Sequence, residues 1–123
     1  MKTDNYNKKI GNWGEDLAAQ FLVTKGYELK ERNVYVREGE IDLICTKDDE
    51  IIFVEVKTRT NQTFGYAEEA ISWRKKQKIK IAIEKYLVKT NTPLSPRFDV
   101  VIVEIFGPKP DITHYENVIL DDW

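Results

Sequence analysis

The sequence contains one cysteine, Cys45, one histidine, His114, and no apolar run near the roughly 18 residues that a membrane-spanning helix needs. A lone cysteine excludes an internal disulfide and leaves no Cys/His set with zinc spacing. A lone histidine makes any Ser-His-Asp or Cys-His mechanism depend on His114, and no nucleophile motif accompanies it, so His114 is read as structural. The opening residues, MKTDNYNKKIGNWGED, have no apolar signal core, and the expectation is a cytoplasmic protein without a membrane partner. Positive charge is also short. Nineteen Lys and Arg face 21 Asp and Glu, a formal net charge of -2, which argues against holding nucleic acid by bulk charge alone. The distribution is uneven, however: Arg74, Lys75, Lys76, Lys78, Lys80 and Lys85 crowd one stretch, whereas acids dominate from Glu104 onward.

At 123 residues, 41% hydrophobic and 33% charged, the chain suits one domain over 1–123 with a single core. Ile10, Trp13, Leu17, Ala18, Phe21 and Leu22 recur at helical steps before Gly26, predicting an amphipathic helix over 8–25. Tyr27 to Val36 reads as a strand near a sheet edge. EIDLICT and IIFVEVKT, separated by Lys47, Asp48, Asp49 and Glu50, form the clearest feature, a β-hairpin. A polar loop, TRTNQTFGYAEE, follows. Ser72 then has the character of an N-cap for a helix over 73–89 with Ile79, Ala82, Ile83, Tyr86 and Leu87 on one stripe. Pro93 and Pro96 punctuate a loop, FDVVIVEIF reads as a buried strand, and a short strand is expected around 112–115.

With Asp48 and Asp49 as a two-residue turn, paired residue numbers in the hairpin sum to 97. Asp42 then faces Glu55 across the ladder, and Lys57, two residues on, shares their side. Ile41, Leu43 and Cys45 with Ile52, Val54 and Val56 fill the other side, an apolar surface for a helix. Directly opposed carboxylates repel, and a divalent cation relieves that repulsion. Hard carboxylate oxygens suit Mg²⁺ or Mn²⁺, and a lysine beside such a site can assist phosphate-ester hydrolysis. From residue types alone, a solvated hairpin face with a diagonal Lys57 ion pair accounts for the pattern equally well.

Asp42, twelve intervening residues, and then Glu55-Val56-Lys57 resembles the PD-(D/E)XK nuclease signature. The strings GNWGEDLAAQFLVTKGY, GEIDLI, FVEVKTR, FGYAEEAI and RFDVVIVE resemble the YraN-like family of that superfamily, whose members are similar to Holliday junction resolvases, over nearly the whole chain. The resemblance implies a restriction-endonuclease-like α/β fold with an αβββαβ core, a mixed central sheet flanked by helices. It further implies that Asp42, Glu55 and the Val56 carbonyl bind Mg²⁺ or Mn²⁺, that Lys57 is the catalytic lysine, and that Glu15 is the additional acid of resolvase-like members. The implied activity is an endonuclease acting on nucleic acid, DNA ahead of RNA, with branched or nicked DNA as candidate substrates, and resolvase-like kinship allows a homodimer. Ile41 stands where the superfamily name has proline, and the acidic charge departs from a tight nonspecific DNA binder. The alternative is a nucleic-acid-binding or assembly module that keeps the fold without turnover.

Other residues carry weaker signals. Without the family pattern Glu15 reads as a solvated or dipole-stabilising helix acid. Arg59 could grip a phosphate, and Lys76, Gln77 and Lys80 could contact a nucleic-acid backbone, although each also suits a solvated surface. Asp99 is read as structural. Trp13 and Trp73 are read as packing aromatics, with Phe64 and Tyr66 the loop residues able to stack on bases.

Overall fold

A computed structural model describes residues 2–60 and 72–120, with side-chain surroundings from residue 8 onward. The elements run α1 (Lys2–Thr24), β1 (Glu28–Val36), β2 (Gly39–Lys47), β3 (Glu50–Arg59), α2 (Trp73–Thr90), β4 (Ser95–Glu104) and β5 (Asp111–Tyr115). This is the expected αβββαβ order with one further strand. The five strands form one mixed sheet in chain order, antiparallel throughout except for the parallel pair β3–β4, which α2 connects.

Local chemistry sets the boundaries. Gly26 takes φ +96, while Gly26 N–H donates to Val23 O and Tyr27 N–H to Leu22 O, the two bonds of a Schellman cap that stops α1. At its other end α1 reaches six residues further than 8–25, because the apolar stripe begins only at Ile10 and periodicity cannot register the turns before it. Ser72 caps α2 as expected, its side chain accepting from Lys75 N–H at 3.2 Å, and Asn91 in the left-handed region closes the helix. β3 runs on through Arg59, one residue past the expected IIFVEVKT strand and into the expected loop. Thr58 and Arg59 pair with Val103 and Glu104, and Ile105 N–H donates to Arg59 O. Pro96 lies inside β4 and not in the preceding loop. β5 pairs only with Val100–Glu104, so the missing Pro96 N–H removes no bond on that side.

The sheet's alternation divides the core. Ile44, Ile51, Phe53, Phe98, Val100 and Ile102 pack with Ile79, Ala82 and Ile83 of α2, while Leu43, Cys45, Ile52, Val54, Val56, Val101 and Val103 pack with Ala18, Ala19 and Leu22 of α1. Ile41 is the exception: expected beside Leu43, it joins the α2-side cluster. Strict alternation places it only while the ladder lasts, and the β2–β3 pairs run from Lys47↔Glu50 to Leu43↔Val54.

Asp99 is fully buried in β4 and structural, as expected. Arg97 grips both its oxygens at 3.0 and 2.9 Å, Asn117 N–H donates at 2.9 Å, and His114 Nε2 lies at 2.7 Å. A carboxylate only accepts, so Nε2 carries the hydrogen and Nδ1 is left to accept from the Lys25 ammonium at 2.8 Å. Burial opposes ionisation of Asp99, but these donors outweigh it and hold the carboxyl below its ordinary range. Among the described residues no helix is long and apolar enough to cross a membrane.

Candidate active site

Beyond Leu43↔Val54 the two hairpin strands stop exchanging backbone pairs, and a side chain takes over. Val56 N–H donates to Asp42 Oδ2 at 2.8 Å, so the carboxylate stands in for the ladder carbonyl. The register that sums to 97 is observed from Lys47↔Glu50 to Leu43↔Val54; Asp42 and Glu55 lie just past its last pair, where their side chains meet each other. Both acids are nearly buried, 5% and 7% exposed.

They line a cavity of about 370 Å³ together with Glu15 and Gly11 of α1, Glu40 of β2, Val56 to Thr60 at the end of β3, and Lys75 of α2. The cavity therefore gathers the four expected residues, Glu15, Asp42, Glu55 and Lys57, with Val56 and Arg59 beside them. It sits at the carboxyl end of a parallel strand, where open α/β sheets characteristically place ligands. Lys76, Gln77 and Lys80 of α2 are not among the residues that line it. Phe64 and Tyr66 lie outside the described residues. Trp13 and Trp73, expected to pack, are 44% and 68% exposed.

The sequence reading missed Lys75 as a site residue. Its Nζ lies 3.2 Å from Glu55 Oε2. A signal was present: Lys75 stands four residues before Ile79 and so continues the apolar stripe of α2 toward the sheet, a place where a lysine is anomalous. Gly14 was also passed over. A Cβ there would meet Thr58 Oγ1 at 1.9 Å and Thr58 Cβ and Cγ2 at 3.0 Å, so only glycine lets α1 lie this close to β3 and carry Glu15 to the cavity.

Burial and mutual repulsion set the electrostatics. Desolvation, then the hydrogen bond and charge of Glu55, push the Asp42 carboxyl up to about 9 against the opposing pull of Val56 N–H. Two acids thus placed hold a proton between them unless a cation neutralises them. Desolvation and the neighbouring Lys75 ammonium bring Lys57 down to about 8, with Glu55 opposing. Lys75 loses some favour to burial but is raised overall by Glu55. Burial raises Glu15 despite Arg32, whose Nη2 lies 3.5 Å from its carboxylate.

Among the described residues no three His, Cys, Asp or Glu side chains stand close enough together to hold a metal ion. Asp42 and Glu55 are the adjacent pair, and Glu15 is engaged by Arg32 on the cavity wall. Two hard carboxylates and a backbone carbonyl, with room left for water, form a donor set that suits magnesium or manganese better than softer metals.

The class so described is a mixed α/β domain with an acid-and-lysine cavity at the end of its central hairpin. The model of the uncharacterised protein family UPF0102 matches residues 14–103, and the chain belongs to that family, in agreement with the YraN-like resemblance. It is 48% identical to a UPF0102 protein of Syntrophomonas wolfei, over 90% of this chain and 97% of that one. A UPF0102 protein of Caldanaerobacter subterraneus is 46% identical over 97% of this chain and 98% of its own length, and one of Clostridioides difficile is 42% identical over 90% and 96%.

Proposed function

We propose that the protein is a divalent-metal-dependent endonuclease that hydrolyses phosphodiester bonds in DNA, with branched or nicked DNA as the favoured substrate. The observation that carries this reading is the burial of Asp42 beside Glu55, with Lys57 next to them, in one open cavity. Two acids buried side by side repel each other at a cost in stability, and a site for a divalent cation explains why they stand there.

Asp42, Glu55 and the Val56 carbonyl would hold Mg²⁺ or Mn²⁺, which when bound supplies an acidified water and screens phosphate charge. Asp42 is fixed by Val56 N–H, so its remaining oxygen is presented without a search among rotamers. Lys57 Nζ orients the attacking water and offsets charge that develops on the phosphate oxygens. Arg59, which lines the cavity, would grip a flanking phosphate through two parallel hydrogen bonds. Glu15 deepens the acidic wall on the α1 side. Fold kinship alone would not support an activity; the residues of the cavity do.

The test is a panel of branched, nicked, single-stranded and duplex DNA and RNA incubated with Mn²⁺, with wild type beside Lys57→Ala and Glu55→Ala. Cleavage that needs the metal and disappears in both variants supports the reading. Equal cleavage in the variants would identify a contaminant. If wild type binds DNA but never cleaves it, the binding-module alternative takes its place.

A further inference from the structure

Lys75 occupies a place that electrostatics disfavours. It lies in the first turn of α2, which has no acidic residue and where the helix dipole repels cations, and its charge stands beside that of a second lysine, Lys57, which it disfavours. What holds it is Glu55, 3.2 Å away. The two partners differ in freedom: the Glu55 side chain is 8% exposed, whereas that of Lys75 is 42% exposed on a four-carbon stem. If one of them moves, it is the lysine.

We propose that Lys75 is the resident counter-ion of this carboxylate pair: it neutralises Glu55 in the metal-free protein, is displaced by a divalent ion, and then binds the phosphate backbone of the substrate. The inference rests on the nuclease reading above. A doubly charged ion balances the two acids by itself, and two ammoniums are then left without partners beside the cavity. A polyanion supplies them. Substrate affinity is thereby made contingent on metal, and a protein of net negative charge can hold nucleic acid at one place without a large basic surface.

The experiment uses the full chain as wild type, Lys75→Met and Lys75→Arg, with circular dichroism and thermal melting to verify folding and Lys75→Gln as a replacement if the methionine variant does not fold. Mn²⁺ affinity is measured by calorimetry without nucleic acid, and affinity for a labelled single-stranded oligonucleotide is measured with Ca²⁺ bound. Lys75→Met should bind Mn²⁺ tighter by on the order of tenfold, because a tethered competing charge is gone, and should bind the oligonucleotide severalfold more weakly. Lys75→Arg should return both values toward wild type. Opposite signs in the two affinities are the signature, since a lysine serving only as a structural partner of Glu55 would weaken both. Unchanged or weaker Mn²⁺ binding by Lys75→Met overturns the inference while the nuclease reading stands; absence of Mn²⁺ binding by wild type overturns both.

Discussion

Two glycines on one helix should respond oppositely to the same substitution. Gly11→Ala meets nothing within 4 Å of the added carbon, so it should gain the helix propensity of alanine, about 1 kcal/mol. Gly14→Ala gains the same amount but drives its methyl to 1.9 Å from Thr58 Oγ1. Rotating Thr58 about χ1 does not clear the space, because its Cβ, which that rotation leaves in place, already stands at 3.0 Å. Overpacking of this kind costs about 1 to 3 kcal/mol, and an overlap so deep belongs near the upper end, for a net loss of about 2 kcal/mol. For a chain of this size each kcal/mol moves the melting temperature by about 4 °C, so Gly11→Ala should melt about 4 °C higher and Gly14→Ala about 8 °C lower. Adding Thr58→Ala to Gly14→Ala should recover part of the loss, with a coupling of about 1 kcal/mol in the double-mutant cycle. The assay is differential scanning calorimetry of the four proteins without metal. Gly14→Ala melting as high as Gly11→Ala would refute the close approach of α1 to β3 and, with it, the account of how Glu15 reaches the cavity.

Three further outcomes are expected. Asp42→Asn keeps an acceptor for Val56 N–H but removes a carboxylate; it should leave metal-free stability equal or slightly raised while abolishing Mn²⁺ binding, and a calorimetric titration matching wild type would count against Asp42 as a ligand. Asp99 is held below the ordinary carboxylate range in the folded state, so its contribution is complete above the unfolded value of about 4 and is lost as pH falls through the folded value. Urea unfolding from pH 7 down to pH 3 should therefore show a steeper acid loss in wild type than in Asp99→Asn, which is itself less stable by about 3 kcal/mol at pH 7 because it leaves Arg97 without its buried partner; parallel pH profiles would contradict this. Arg59→Ala should weaken oligonucleotide binding severalfold and leave Mn²⁺ affinity unchanged, and a matched fall in both would show that Arg59 supports the fold of the cavity and does not grip phosphate.

The hairpin was legible because its information is local: a two-residue turn fixes the register, and alternation over seven residues fixes the sides. Asp42, Glu55 and Lys57 lie just past the last pair of that register, and the bond from Val56 N–H to Asp42 carries their convergence on. The caps at Ser72 and Gly26 are local for the same reason. Glu15 could be placed only through family likeness, since its approach depends on α1 crossing β3 at Gly14, a contact between residues 44 positions apart in the chain. Lys75 was hidden by company, one cation in a run of several, and only its phase relative to Ile79 singles it out. Ile41 went to the unexpected side because the alternation rule was carried past the last backbone pair. Pro96 has the character of a loop residue, yet a strand with one open side tolerates it.

The amide of Val56 depends on position 42 for its acceptor, and this narrows what descent can do there. A lineage that gave up the chemistry would still be steered toward asparagine or another side chain that offers an oxygen, and away from alanine, which orphans a buried donor. Silent relatives should thus keep the shape of the hairpin and melt no earlier than active ones. Soundness of the fold is therefore no witness to a working site, and the residue found at position 42 is.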